Sequence, residues 1–183
     1  MSELAQLAAL LREKNDLDNK IVEIVGRPAQ IGHVGEFIAS RIFDIELHAS
    51  ASHKGSDGFF RSGSLASASA NIKWYAKHEG VLDINVEAVP DYYLVLTGPT
   101  PAEWNSRGRG RPWLIDKVFL FDAPKLISDL QTTGVRVGVA SGVRVAFWGA
   151  AELYPRPNNS TLELDEQQRA MLAMFSIAGL MST

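Results

Sequence analysis

The stretch Ala70-Asn71-Ile72-Lys73-Trp74 decides the fold class of this chain, because apolar and polar side chains alternate along it. Such alternation is typical of a β-strand with one buried face. Gly58-Phe59-Phe60 is predicted as a neighbouring strand, joined to the first by the small residues of 62–69. Tyr92-Tyr93-Leu94-Val95-Leu96 is a continuous apolar run, which indicates a strand buried on both faces. These stretches predict a sheet in the middle of the chain.

Helical spacing of apolar residues predicts helices before and after these strands. The first two run from Ser2 to the break at Gly26-Arg27-Pro28 and over about 30–43. The remaining predicted elements are a strand from Ile45, strands over Lys117–Phe121 and Val135–Val139, a helix over Ala123–Leu130, a helical or irregular segment over 141–154, and a helix over Leu164–Leu180 with Asp165 as its N-cap. The expected fold is α/β, a central mixed β-sheet flanked by helices. We expect one domain over 1–183, with N-terminal helices over 1–44, a sheet-containing core over 45–155 and a C-terminal helix over 160–183.

Composition narrows the classes of protein to consider. The 183 residues are 46% hydrophobic and 21% charged, as in an ordinary globular domain. The absence of cysteine excludes disulfides, thiolate zinc sites and a cysteine nucleophile. No apolar run is long enough to cross a bilayer, and the N-terminus lacks the features of a signal peptide, so we expect a cytoplasmic protein without a membrane partner. A net charge of −3 argues against a broad phosphate-coating surface.

Residues with the chemistry of a hydrolytic site occur around these predicted strands. Asn71 and Lys73 project to the same face of their strand, opposite Ile72. Asp57 precedes the neighbouring strand and can meet them there. A carboxylate beside a lysine suits metal-assisted hydrolysis of a phosphodiester, in which Mg²⁺ activates water and the lysine stabilises charge. Each residue also has a plainer interpretation: Asp57-Gly58 as a turn, and Lys73 as a solvent-facing residue of an edge strand.

Gly35-Glu36, Gly55-Ser56-Asp57-Gly58 and Asn71-Ile72-Lys73 together resemble the PD-(D/E)xK nuclease superfamily, which has the restriction-endonuclease-like fold. The resemblance implies that Glu36 is the helix acid, Asp57 the main metal ligand and Lys73 the catalytic lysine, with Asn71 at the second-acid position. Catalytic candidates are therefore Lys73, Asp57, Glu36 and Asn71, and candidate ligands of Mg²⁺ are Asp57 and Glu36. Asn71 departs from the pattern because it has no charge. For Glu36, a solvated helix position is the alternative.

Two longer stretches, 90–96 and 148–155, resemble an uncharacterised bacterial domain family with the same fold. That second resemblance implies no activity. The expected function is that of a Mg²⁺-dependent nuclease-like protein that cleaves or binds DNA, in a restriction or defence system. The alternative is a catalytically inactive nuclease fold that serves as a protein- or nucleic-acid-binding module. Whether the chain is an enzyme stays open at this point.

Basic residues outside this constellation are candidates for contact with nucleic acid. Arg107, Arg109 and Arg111 alternate with small residues in a segment that also carries tryptophans, a combination that suits backbone contact with base stacking. Lys54 and Lys77 are further candidates. The alternative for the arginines is a mobile, solvated loop. The apolar C-terminal helix also supports a homodimer, although packing in the core accounts for most of its surface.

Overall fold

The computed structural model describes residues 2–49, 54–100 and 111–177. Its first helix, α1 (Glu3–Val25), begins after Ser2, whose side chain accepts a hydrogen bond from the Ala5 N–H. α1 ends at Gly26, which takes the left-handed conformation that favours glycine. A second helix, α2 (Ile31–Ile42), follows. The two helices predicted from the apolar spacing are confirmed.

The strands form the mixed sheet that the sequence predicts. The strands of the described residues, numbered in chain order, are β1 (Ile45–Leu47), β2 (Gly58–Phe60), β3 (Ser69–Tyr75), β4 (Val81–Leu82), β5 (Tyr92–Thr97), β6 (Lys117–Asp122), β7 (Ser141–Gly142) and β8 (Glu152–Tyr154). Six of them pair in the order β1-β2-β3-β5-β6-β8, while β4 and β7 pair separately. Within the larger sheet β3 and β5 are parallel and the other neighbours are antiparallel.

Helices cover both faces of the sheet. The later described helices are α3 (Ala123–Thr132), α4 (Val145–Ala151) and α5 (Glu166–Ala173). One core cluster joins α2 and α5 to the sheet, with members that include Ile38, Ile42, Ile72, Leu94 and Leu172. The other joins α3 and α4 to the opposite face, with members that include Tyr93, Val95, Phe119, Leu126 and Trp148. Because β5 contributes to both clusters, the prediction that it is buried on both faces is confirmed. No helix in the described part of the chain has the combination of length and apolarity that crossing a membrane requires.

The predicted strand over Val135–Val139 is wrong. Val139 is 88% exposed, and β7 begins only at Ser141. The Ser141 hydroxyl bonds the backbone N–H and carbonyl of Gly138, at 2.8 and 2.7 Å, and so closes a turn there. A side chain that satisfies the backbone locally competes with strand pairing.

The predicted C-terminal helix over Leu164–Leu180 is interrupted after Ala173, and Ile177 is helical again. α5 begins after Asp165, which is the predicted N-cap, and ends at Ala173. Beyond it the Phe175 N–H bonds the Leu172 carbonyl at 3.1 Å, and the Phe175 carbonyl accepts the Ile115 N–H at 2.9 Å. This tertiary contact lies at the interruption of the helix. Residues 178–180 of the predicted helix lie outside the described residues.

The segment over 141–154, predicted as helical or irregular, contains α4 between β7 and β8. The helix agrees with the prediction, but the edge strand β8 was missed. With three residues, β8 is too short for alternation to be visible in the sequence. Pairing with β6 is what makes this short segment a strand.

Candidate functional site

Asp57 lies immediately before β2, where β2 and β3 separate. Its backbone N–H donates to the Ala70 carbonyl at 2.8 Å, next to the paired residues Gly58 and Ala70. Beyond this point the side chain of Asp57 replaces the backbone of β2 as the partner of β3, because its Oδ2 accepts the Ile72 N–H at 2.6 Å. The carboxylate therefore satisfies a backbone donor of β3 that a longer β2 would otherwise pair. Its Oδ1 has no partner among the described residues.

Lys73 and Asn71 share a face of β3, as the alternation predicts. Burial alternates strictly along β3, with Ala70, Ile72 and Trp74 buried. Those three pack in the cluster of α2, so Asn71 and Lys73 face the other side of the sheet. The Lys73 Nζ lies 5.6 Å from the centroid of the Tyr93 ring, a distance typical of a cation–π contact.

The ammonium group of Lys73 has no close counter-ion. No carboxylate of the described residues lies within 4.0 Å of it. Burial lowers the pKa of Lys73, while the charges of Asp83 and, less strongly, Asp57 act in the opposite direction. A half-buried lysine that is held near two carboxylates without an ion pair is a group whose charge is available to a ligand.

Asp83 is a member of this site that the sequence analysis missed. Its Oδ1 accepts the Ala140 N–H at 2.7 Å, and its Oδ2 accepts the hydroxyl of Tyr75 at 3.3 Å. The Asp83 N–H in turn donates to the Tyr75 oxygen at 3.1 Å, and burial raises the pKa of Tyr75 to about 12. The only sequence signal was a carboxylate between the apolar residues Leu82 and Ile84, and it did not point to Lys73.

Glu36 reaches the site from α2. Gly35 allows α2 to lie close to β3, since a Cβ on this residue would be only 2.9 Å from the Cβ of Trp74. The Glu36 Oε2 accepts a hydrogen bond from Arg27 Nη1 at 2.6 Å. Burial and the nearby charge of Asp57 raise the pKa of Glu36, and Arg27 opposes both. The structure therefore brings Glu36 within electrostatic range of Asp57, but already paired with an arginine.

Arg27 and His48, neither of which the sequence singled out, hold the loop before β2. Arg27 Nη2 donates to the carbonyl of His48 at 3.3 Å. The His48 N–H donates to the Asp57 carbonyl at 2.9 Å, and its ring Nε2 lies 2.9 Å from the Ser56 hydroxyl. Burial raises the pKa of Asp57 despite the Ile72 hydrogen bond and the positive charge of Lys73. These contacts fix the backbone on which Asp57 depends.

The oxygen donors at this edge suit a divalent cation only in part. The described residues contain no group of three or more histidine and carboxylate side chains placed to hold a metal ion. Asn71 Oδ1, however, is buried without a hydrogen-bond partner, one residue from the backbone N–H that Asp57 binds. Mg²⁺ is commonly held by one or two carboxylates while it keeps several waters. At this place Asp57 Oδ1 and Asn71 Oδ1 are oxygens without a hydrogen-bond partner among the described residues.

Three of the candidate contacts for nucleic acid, Lys54, Lys77 and Arg111, belong to the described residues. Lys54 and Arg111 are exposed. Lys77 forms an ion pair with Glu79, which offsets its charge. The predictions for Arg107 and Arg109 fall outside the described residues.

Arg27→Gln is expected to raise the pKa of Glu36 further, because it removes the positive charge that opposes burial and Asp57. The measurement is an NMR titration of the Glu36 side-chain carboxyl. Arg41→Gln is the matched control, since Arg41 lies on the same helix as Glu36 but packs on the Phe37 ring. An unchanged Glu36 pKa in Arg27→Gln would contradict the ion pair.

A scan against protein-family models finds no match to the chain, and a search of curated proteins finds no similar sequence.

Proposed function

We propose that this chain has the restriction-endonuclease-like fold and acts on DNA as a Mg²⁺-dependent nuclease. The observation that carries the proposal is that the carboxylate of Asp57, just before β2, is bound to the backbone of β3 next to Lys73. Asp57 binds the Ile72 N–H at 2.6 Å, and the neighbouring Lys73 is half-buried without a close counter-ion. This order of helix acid, strand acid and strand lysine supports the resemblance to the PD-(D/E)xK superfamily. A DNA substrate and the lack of cysteine also fit a cytoplasmic location.

The residues of the site divide the work of phosphodiester hydrolysis between them. Asp57 and Asn71 would hold Mg²⁺, which when bound supplies Lewis acidity and a more acidic water. The Ile72 N–H fixes the orientation of the Asp57 carboxylate. The Lys73 ammonium, desolvated against the Tyr93 ring, stabilises the negative charge that develops on the phosphate. Glu36 would be a second, more distant acid once its ion pair with Arg27 opens.

Lys73→Met is expected to lower the rate of Mg²⁺-dependent DNA cleavage by about 100-fold, because it removes the charge that stabilises the reacting phosphate. Methionine keeps the apolar stem against Tyr93. Since burial lowers the pKa of Lys73, the folded state bears a cost for the charge, and we expect the variant to be at least as stable as the wild type.

The measurement compares cleavage of plasmid and of single-stranded DNA, with Mg²⁺ and with chelator. Lys125→Met is the control: it also removes one lysine, but Lys125 is exposed on α3 and pairs with Asp129. Equal rates for the wild type and Lys73→Met would contradict the catalytic role.

The residues at the predicted metal-binding positions favour a second candidate function, that of a binding module. Asn71 stands where the superfamily pattern has an acid. The Glu36 Oε2 already accepts a hydrogen bond from Arg27 Nη1 at 2.6 Å. These features suit a nuclease fold that has lost its chemistry and binds nucleic acid or protein. Calorimetric titration with Mn²⁺ separates the two functions. Binding that Asp57→Asn abolishes supports the enzyme, whereas DNA binding without any metal binding supports the binding module.

A further inference from the structure

Exposed apolar side chains run along most of α1. None of its 23 residues is buried. The exposed fraction is 52% for Leu7, 61% for Leu10, 59% for Leu17 and 70% for Ile24. A helix of this length spans about 35 Å and derives most of its stability from packing an apolar face. In the described part of the chain, α1 leaves most of that face without a partner.

The positions of these residues follow the seam of a coiled coil, with spacings of three and four. The members of this row, called here the α1 seam, are Leu7, Leu10, Lys14, Leu17, Ile21 and Ile24. Lys14 is the one polar member. A single lysine within such a seam selects register and orientation, because it must avoid a like charge and still pack its stem.

We infer that the α1 seam binds the α1 seam of a second copy of this chain, with the two helices antiparallel. In this arrangement Leu7 lies opposite the partner's Ile24, and Leu10 opposite the partner's Ile21. Lys14 lies opposite the partner's Leu17, so the two lysines are kept apart. The remaining layers of the seam are apolar on both sides, and the inference does not depend on the proposed nuclease function.

The charges beside the seam favour this orientation over the parallel one. In the antiparallel pair Glu13 faces the partner's Lys20, and the two-fold symmetry of the pair repeats this contact with the roles of the copies exchanged. In a parallel pair Lys14 would face the partner's Lys14 within the seam. Glu13 would then face the partner's Asp18, also a like charge. The antiparallel pair thus has two attractive contacts where the parallel pair has repulsive ones.

Charge reversal tests both the dimer and its orientation. Glu13→Lys and Lys20→Glu are each expected to weaken dimerisation by roughly three- to tenfold, and the double variant to restore it, since the pair is re-formed with opposite signs. Both side chains are exposed on α1, so the fold is left intact. Sedimentation equilibrium at low salt measures the dissociation constants, and circular dichroism checks the helix content. Stronger association in Glu13→Lys would indicate the parallel pair and overturn the proposal.

Disulfide trapping gives an independent readout, because the chain has no cysteine of its own. Leu7→Cys chains mixed with Ile24→Cys chains of different size are expected to cross-link to each other under oxidation. Leu7→Cys alone is expected to cross-link poorly. Efficient cross-linking of Leu7→Cys with itself, or a chain that stays monomeric up to its solubility limit, would overturn the antiparallel dimer.

Discussion

Asp57→Asn is expected to abolish Mg²⁺-dependent cleavage of DNA, by about 1,000-fold or more, and at the same time to stabilise the folded protein at neutral pH. Asparagine can still accept the Ile72 N–H, so the edge between β2 and β3 keeps its hydrogen bond. What it lacks is the negative charge on the oxygen that would hold the cation. The gain in stability follows because burial raises the pKa of Asp57.

The sign of the pH dependence is specific. A carboxyl whose pKa is higher in the folded than in the unfolded state destabilises the fold when both states are ionised. The stability advantage of Asp57→Asn is therefore largest at neutral pH. It shrinks as the pH falls through the raised pKa of Asp57 and vanishes below the unfolded value. Urea unfolding at a series of pH values measures it.

Asp91→Asn is the matched control for this experiment, with the opposite sign. Asp91 accepts the N–H and the hydroxyl of Ser69, both at 2.7 Å, and these bonds lower the pKa of Asp91. Its substitution is expected to lower stability at neutral pH and to leave cleavage unchanged. If Asp57→Asn also destabilised the protein and retained cleavage, Asp57 would be a structural residue of the strand edge and not a ligand.

Gly58→Ala is expected to destabilise the protein by about 3 kcal/mol, the upper part of the range for overpacking. A Cβ on Gly58 would lie 2.2 Å from the Glu46 carbonyl oxygen and 3.0 Å from Cγ2 of Ile45. Both neighbours belong to β1, which pairs with β2, and a backbone oxygen in a sheet has little room to move. Relief requires that the two strands separate.

The same substitution is expected to reduce cleavage, because Gly58 directly follows Asp57 and a shift of β2 moves the carboxylate away from Ile72. Gly32→Ala is the control: a Cβ on Gly32 of α2 would have open space within 4 Å, and alanine favours a helix by roughly 0.5 kcal/mol or more. Guanidinium unfolding and the cleavage assay, applied to both variants, measure the two effects. A Gly58→Ala protein as stable as the wild type would contradict the close contact of β1 with β2.

The pattern of apolar and polar residues predicted the strands correctly where the alternation was strict or the apolar run was long. The alternation of β3 and the apolar run of β5 correspond to observed strands, since burial on one face or on both determines such patterns directly. The predicted elements were wrong where a single hydrogen bond competes with the pattern of apolar residues. The Ser141 hydroxyl closes a turn after Gly138, and the hydrogen bond of Ile115 with Phe175 lies where the predicted C-terminal helix is interrupted.

In the candidate site, too, some residues could be predicted from the sequence and others could not. Asp57, Lys73 and Asn71 could be proposed from the sequence because two of them share a strand face and the third precedes the next strand. Asp83 could not, because its place near Lys73 depends on a contact with Ala140, which lies 57 residues away from Asp83 in the chain. Arg27 was visible only as part of a helix break, and its ion pair with Glu36 depends on how α2 packs against β3.

The sequence by itself determined that a strand carries Asn71 and Lys73 on one face, because side-chain direction alternates with a period of two residues. Only the tertiary structure decided which charges surround that face. In the folded chain Glu36 forms an ion pair with Arg27, and Asp83 lies near Lys73. The Asn71 Oδ1 is buried without a hydrogen-bond partner. The physical reason is range: backbone geometry acts between adjacent residues, whereas electrostatic fields and burial depend on segments that meet only after folding.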